Sequence, residues 1–252
     1  MEPRIALVTG ASSGIGKALS VELGRRGYKV GLTARRAKEL EETAQAIAAA
    51  GGEAHVEACD VTDRAAVEAA AAALAKRFGR IDLLVANAGI GVKPERGKLF
   101  DVDGIERTMR VNVLGVAYSI GAVLPAMLER KSGHIAAVSS IASYIATPRT
   151  AGYSASKAAV SVLLDSLRLD VRGRGVDVTV VNPGFVATPM TAKNKGMVLV
   201  WTAEKAARVI ADGLERRKRT IEFPFPLVAG AKLARSFVPG WLFDRLVAGR
   251  AW

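Results

Sequence analysis

The sequence is poor in the residues that build covalent or metal cross-links. Cys59 is the single cysteine in 252 residues. One thiol allows neither an intramolecular disulfide nor a cysteine-based metal cluster, and it fits a reducing compartment. There are only two histidines, His55 and His134, each at the start of a short apolar run where a structural role is expected. No His/Asp/Glu arrangement has metal-ligand spacing, so no metal is expected. Aromatic residues make up 6% of the chain, and no aromatic-basic platform or helix-turn-helix pattern accompanies the basic residues. Nucleic-acid binding is therefore not expected. Long apolar runs are also missing. The longest uncharged stretch, 111–128, is broken by Asn112, Gly115, Gly121 and Pro125. It falls short of the ~20 apolar residues of a membrane span and reads as a buried helix. The opening MEPRIALVTG has no apolar run long enough for a signal peptide. A cytoplasmic location is expected.

What is abundant is ordinary core material and positive charge. Half of the residues are hydrophobic and 24% are charged, enough to build and solubilise a sizeable core. Lysine and arginine exceed the acids by 36 to 24, a formal charge of +12. Such a balance serves solubility, or attraction to anionic ligands or membrane surfaces. The basic run 216–219 is most simply the cationic end of a helix.

Short apolar runs alternate with longer helical patterns. Strands are expected at 5–8, 29–33, 54–58, 83–86, 134–139 and 177–181. Helices are expected at 15–26, 37–50, 64–78, 104–130, 154–172 and 203–217. Strands separated by helices argue for parallel βαβ units. The runs IALV, LLVA and VTVV are apolar throughout, as when helices cover both faces of a sheet. No internal repeat or low-complexity linker interrupts the pattern. The expected fold is α/β: one doubly wound parallel sheet of Rossmann type, with helices on both faces, in a single domain over 1–252.

Residues 9–16 read TGASSGIG, directly after the first strand and opening a helix. A backbone turning onto a helix N-terminus offers free N–H groups and a positive dipole end to a phosphate. Gly10, Gly14 and Gly16 leave room for that approach, and Ser12, Ser13 and Ile15 complete the loop. The spacing is GxxxGxG rather than the GxGxxG of other dinucleotide folds. The second strand ends at Ala34-Arg35-Arg36, where an NAD-selective site usually carries a carboxylate. Arg35 can pair with a 2′-phosphate instead, and Arg36 stands beside it. Cations are disfavoured at a helix start, so a ligand for this charge is expected and NADP(H) is the expected cofactor.

Tyr153 and Lys157 lie four positions apart among small residues, which makes them neighbours on one helix face. A ketone accepts hydride at carbon and a proton at oxygen. A free phenol has a pKa near ~10, and a nearby ammonium is expected to lower it. Ser140 can donate a hydrogen bond to the substrate oxygen. Ser139 is expected to point elsewhere, because side chains alternate at a strand end.

With these pieces the chain resembles the classical short-chain dehydrogenase/reductase family over residues 4–190. The motifs stand as TGASSGIG at 9–16, Asp60-Val61, Asn87-Ala88-Gly89 followed by Ile90, Asn112, Ser140, Tyr153-Ser-Ala-Ser-Lys157, and Asn182-Pro183-Gly184 with Thr188. The resemblance implies a catalytic set of Asn112, Ser140, Tyr153 and Lys157. Asn112 would fix a helix kink and a water linking the lysine to solvent. Asp60 and Val61 would contact adenine. Asn87 would support the central strands, with Ala88 and Gly89 near the ribose. Pro183, Gly184, Val186 and Thr188 would hold the nicotinamide side, and Tyr153 and Lys157 would also touch the cofactor. Tyr144 stands where many relatives have glycine and would narrow the pocket. Homodimers or homotetramers are implied, built on helices 104–130 and 154–172.

The tail departs from that pattern. Residues 191–201 combine polar and apolar residues and would form a substrate lid; 191–252 as a whole is read as lid plus apolar-basic extension. Leu242, Phe243, Leu246 and Val247 fall at helical spacing, with Arg245 and Arg250 interleaved. Two readings stay open for 223–252. One is a helix packed on the domain or a second subunit. The other is an apolar patch of Phe223, Phe225, Phe237, Trp241 and Phe243 with Lys232 and Arg235 nearby, which would border the substrate entrance or touch a membrane. The expected function is NADP(H)-dependent interconversion of a carbonyl and an alcohol, with a lipophilic small-molecule substrate. The alternatives are an NADP(H)-binding regulator without turnover and a membrane-associated binding protein.

Overall fold

A computed structural model describes residues 3–94, 100–192, 194 and 196–248, with backbone only for 244 and 246–248. Seven parallel strands form one sheet in the order β3-β2-β1-β4-β5-β6-β7. They are β1 (Ile5–Thr9), β2 (Lys29–Ala34), β3 (Glu53–Ala58), β4 (Leu83–Ala86), β5 (Gly133–Val138), β6 (Val176–Pro183) and β7 (Thr220–Phe223). The expected strands are all present, and β7 is an addition. Its four residues TIEF pair only with β6, at the sheet edge, so its sequence signal is short and half-apolar.

Helices α1 (Gly14–Arg25), α2 (Ala37–Ala49) and α7 (Ala203–Glu215) lie over one face of the sheet. There Leu19, Leu23, Leu40, Ile47 and Ile210 pack on Val8, Val30 and Leu32. Helices α3 (Arg64–Phe78), α5 (Gly115–Glu129) and α6 (Ala151–Asp170) cover the other face, where Leu74, Val116, Met127, Val160 and Leu164 pack on Leu7, Leu84 and Ile135. Burial on both faces explains why the runs IALV of β1, LLVA of β4 and VTVV of β6 are apolar throughout.

The helix expected at 104–130 starts earlier and is not uniform. It runs as α4 (Val102–Met109), a π-helical turn (Arg110–Leu114) and α5. By length and composition the run Val102–Glu129 is apolar enough to cross a membrane, which the sequence reading did not anticipate. In this fold Val116, Ile120, Val123 and Met127 are buried against the sheet. After β7 the chain forms α8 (Phe225–Phe237) and α9 (Gly240–Ala248). Arg250 lies outside the described residues, as do the side chains of Leu246 and Val247.

Candidate active site

The chain order reverses between β1 and β4, and a crevice opens at their carboxyl ends, where doubly wound sheets bind ligands. Gly10 takes a φ of +67°, and a Cβ there would come within 2.8 Å of Ala88 Cα. A Cβ on Gly16 would sit 2.3 Å from the Gly10 carbonyl oxygen and 2.4 Å from Asn87 Nδ2. Asn87 Nδ2 donates to the Thr9 and Gly10 carbonyls at 2.9 and 3.3 Å. Asn87 therefore fastens the end of β4 to the glycine loop.

Beside this loop is a cavity of about 250 Å³. Its floor is Gly10, Ser12, Ser13 and Gly14; one end is Ala34, Arg35, Arg36, Cys59, Asp60 and Val61; the other is Asn87, Ala88, Gly89, Ile90 and Thr188. Val111, Pro189 and Met190 also line it and were not singled out from the sequence. Cys59 is thus at the cavity wall, not in the core. Arg36 is the better-anchored cation: its Nη2 lies 2.9 Å from both Ser12 Oγ and Ser13 Oγ. Arg35 is 70% exposed and 3.8 Å from the Asp60 carboxylate. Ser13 caps α1 without a side-chain hydrogen bond of its own to the helix. A shallow glycine-floored cradle with a helix N-terminus and two guanidinium groups fits a pyrophosphate and an additional anionic group. Ile15 and Gly16 do not line the cavity; Ile15 packs on the core. Pro183, Gly184 and Val186 also lie off it. Gly184 N–H donates to Phe223 O at 2.7 Å, and Val186 is buried in a bridge with Trp201.

The four residues of the expected catalytic set meet at the ends of β4 and β5. Ser140 follows β5 and caps a 3-10 turn (Ile141–Ser143), its Oγ accepting from Ala142 N–H at 3.1 Å. The Ser140 side chain neighbours the Tyr153 phenol and acts to lower its pKa. Ser139 turns the other way, toward the Lys157 carbonyl and Ser161 Oγ. Asn112 sits in the π turn, accepts from Ile90 N–H at 2.8 Å, and donates to Ile90 O and Ser156 Oγ at 3.0 and 2.9 Å. It joins the loop after β4 to α6. A Cβ on Gly89 would lie 3.3 Å from Asn112 Oδ1 and 3.4 Å from Lys157 Nζ, so the lysine stands against the cavity wall.

The electrostatics differ from the sequence expectation. Burial pushes the Tyr153 phenol above its ordinary value, against the lowering from the neighbouring Ser140 side chain. Lys157 is itself buried, its ammonium pushed down to about 8. Its Nζ donates to the Val138 carbonyl at 2.7 Å and lies 5.7 Å from the Tyr153 ring centre. Desolvation is the leading cause of both shifts, in place of the lowering by the ammonium that spacing alone suggests.

A larger cleft of about 760 Å³ lies beyond. Ile141 and Ile145 form one wall; Phe185 and Val198 form a second; Pro226, Leu227, Gly230 and Ala231 of α8 form a third. Lys93 and Arg149 also line it, and Lys93 Nζ donates to Asn194 Oδ1 across to the 191–201 segment at 2.8 Å. Tyr144 does not narrow this cleft. Its hydroxyl is turned to Glu222 and Asn182, because a half-buried phenol needs polar partners. Of the expected tail patch, Phe223 is buried and stacked on Trp201 at 4.9 Å. Phe225, Phe237 and Trp241 are exposed, and Phe243 is half-buried.

Comparison with known proteins agrees with this fold. A family model described as short chain dehydrogenase matches residues 4–198. An uncharacterized oxidoreductase of Myxococcus xanthus is 39% identical over 245 residues, 97% of this chain and 96% of that protein. A short chain dehydrogenase/reductase from Burkholderia phymatum, solved in complex with NAD, superposes with a TM-score of 0.84 at 26% identity, covering 92% of each chain. Actinorhodin polyketide ketoreductase with NADPH superposes with a TM-score of 0.79 at 29% identity, covering 87% of this chain and 94% of that one.

Proposed function

The chain belongs to the short-chain dehydrogenase/reductase family, and from that premise we propose that it is an NADP(H)-dependent oxidoreductase interconverting a lipophilic ketone or aldehyde and its alcohol. The observation that carries this reading is Lys157, one helical turn on from Tyr153, set with Asn112 against Gly89 of the cavity beside the glycine loop, with Ser140 next to the Tyr153 phenol. Ser12, Ser13 and the α1 N-terminus would hold the pyrophosphate, and Arg35 and Arg36 the 2′-phosphate. The cofactor supplies or accepts the hydride when bound. Ser140 donates to the substrate oxygen, where negative charge develops. Tyr153 gives its hydroxyl proton to that oxygen in reduction and takes it back in oxidation. A phenol held above its ordinary pKa stays protonated at neutral pH, which suits the reducing direction. Asn112 keeps the loop after β4 registered on α6, so that the lysine and the cofactor wall stay together.

The apolar walls of the 760 Å³ cleft support a lipophilic substrate. A cytoplasmic homo-oligomer is part of the same reading. So is the division of 191–252 into a lid and an extension bordering the entrance. A second reading, peripheral contact of 223–252 with a membrane, is favoured by the exposure of Phe225, Leu233, Phe237 and Trp241 on α8 and α9. Co-sedimentation with anionic vesicles tests it, and binding that fails at low salt counts against it. The enzymatic reading is tested by following NADPH oxidation with a panel of short- and long-chain ketones and aldehydes. Turnover is expected for at least one long-chain member, and Tyr153→Phe should remove nearly all of it while cofactor binding stays near wild type. NADPH binding without oxidation across the panel would favour a regulator; full activity in Tyr153→Phe would place the proton donor elsewhere.

A further inference from the structure

Four polar side chains far apart in sequence converge behind the substrate cleft, outside the catalytic set. The Tyr144 hydroxyl donates to Glu222 Oε1. Asn182 Nδ2 donates to the same hydroxyl at 2.7 Å. Lys232 Nζ, from α8, donates to Glu222 Oε2 at 2.7 Å and lies 5.0 Å from the centre of the Tyr144 ring. One turn later Arg235 donates to the Ser143 and Tyr144 carbonyls at 3.2 and 3.4 Å. Burial alone would push the Glu222 carboxyl up, but donation from Lys232 and Tyr144 more than offsets it and leaves it below its ordinary value. The carboxylate is therefore ionised and fully engaged at neutral pH.

An isolated exposed ion pair contributes little. This carboxylate is different: its side chain is 21% exposed and shares a phenol, an amide and an ammonium. Such a network holds its members in one arrangement. Its position gives it a consequence. Tyr144 ends the turn that begins at Ser140, and that turn supplies Ile141 to the cleft. Lys232 and Arg235 lie on α8, which supplies Leu227, Gly230 and Ala231 to the opposite wall. The network thus ties the wall that carries the catalytic serine to the wall that an extended substrate would lie along.

We propose that Tyr144, Glu222 and Lys232 are positioning residues that fix α8 against the Ser140 turn and so set the chain-length selectivity of the cleft. The proposal rests on the carbonyl-reducing reading above, and its test is built so that the two fail separately. Hydrogen exchange on the full-length protein reads the clamp without turnover. In Glu222→Gln and Tyr144→Phe, amides of both 225–237 and 141–145 should exchange about tenfold faster, while β2 is unchanged. Steady-state kinetics with NADPH reads selectivity. In Tyr144→Phe and Lys232→Met the KM for 2-dodecanone should rise about tenfold, with kcat and the values for 2-butanone within about twofold. Lys232→Arg keeps the charge and should retain wild-type selectivity. Lys232 is on an exposed part of α8, so its variants test the idea even where a Glu222 variant folds poorly. Faster exchange confined to α8, or none, would overturn the clamp, as would equal effects on the two ketones. A wild-type protein that turns over neither ketone counts against the carbonyl reading, and the exchange arm then decides the clamp alone.

Discussion

The Nζ of Lys157 donates to the main-chain carbonyl of Val138 across 2.7 Å, within a site that leaves the lysine 4% exposed. That contact satisfies one of three donors, and the ammonium otherwise forgoes water. Burial consequently holds its pKa near 8, against an ordinary value of 10.5. Between those values the unfolded chain binds a proton that the folded chain does not, so stability rises as the pH climbs through that window. Below it, the folded protein bears a cost on the order of 3 kcal/mol. Lys157→Met should therefore raise the Tm of the cofactor-free protein at neutral pH by several degrees, with the gain shrinking as the pH approaches 10, while activity is lost. Scanning fluorimetry across that range checks it. A lower Tm at every pH would mean that the lysine is needed for the fold and that its burial is not a cost retained for the reaction.

Cofactor choice should lie with the two arginines after β2. A charged hydrogen bond contributes ~1.5–3 kcal/mol, so the wild-type protein should prefer NADPH over NADH by roughly tenfold to a hundredfold. Arg35→Ala should remove most of that preference, because its exposed guanidinium has only a 3.8 Å contact with Asp60 to give up. Arg36→Ala should weaken both cofactors, since Arg36 also braces Ser12 and Ser13 in the phosphate loop. Fluorescence titration distinguishes the two patterns. Equal wild-type affinity for NADPH and NADH would overturn the assignment.

Assembly should use the outer face of α6 and the adjoining π turn. Val162 and Leu169 on α6 are 68% and 71% exposed, and Leu114 in the π turn is 41% exposed. Large apolar side chains gathered on helices in this way mark an interface. Light scattering should give a symmetric dimer or tetramer, and Val162→Glu with Leu169→Glu in one chain should dissociate it. A wild-type monomer of 26.5 kDa at micromolar concentration would refute the expectation.

Much of this protein is legible locally. The alternation of apolar runs and helical patterns fixes a parallel sheet, because the runs are short, the central ones are apolar on both faces, and each is followed by a helix. The glycine loop is read from spacing, since Gly10 and Gly16 answer to contacts made within a few residues of the turn or at the neighbouring strand end. Tyr153 and Lys157 share a helix face by their i, i+4 spacing, whereas the helix irregularity at Asn112, which appears as the π turn, was implied only by the family resemblance. The tertiary structure decided what depends on distance in sequence and on burial. β7 becomes a strand because β6 offers it an edge. Tyr144 turns from the cleft to Glu222, 78 residues on, because a half-buried hydroxyl finds its acceptor there. Arg36, not Arg35, reaches the loop serines once β1 and β2 lie side by side. The direction of the Tyr153 shift follows the same logic. Spacing places an ammonium nearby, but only the packed site shows that desolvation is the leading cause of both shifts.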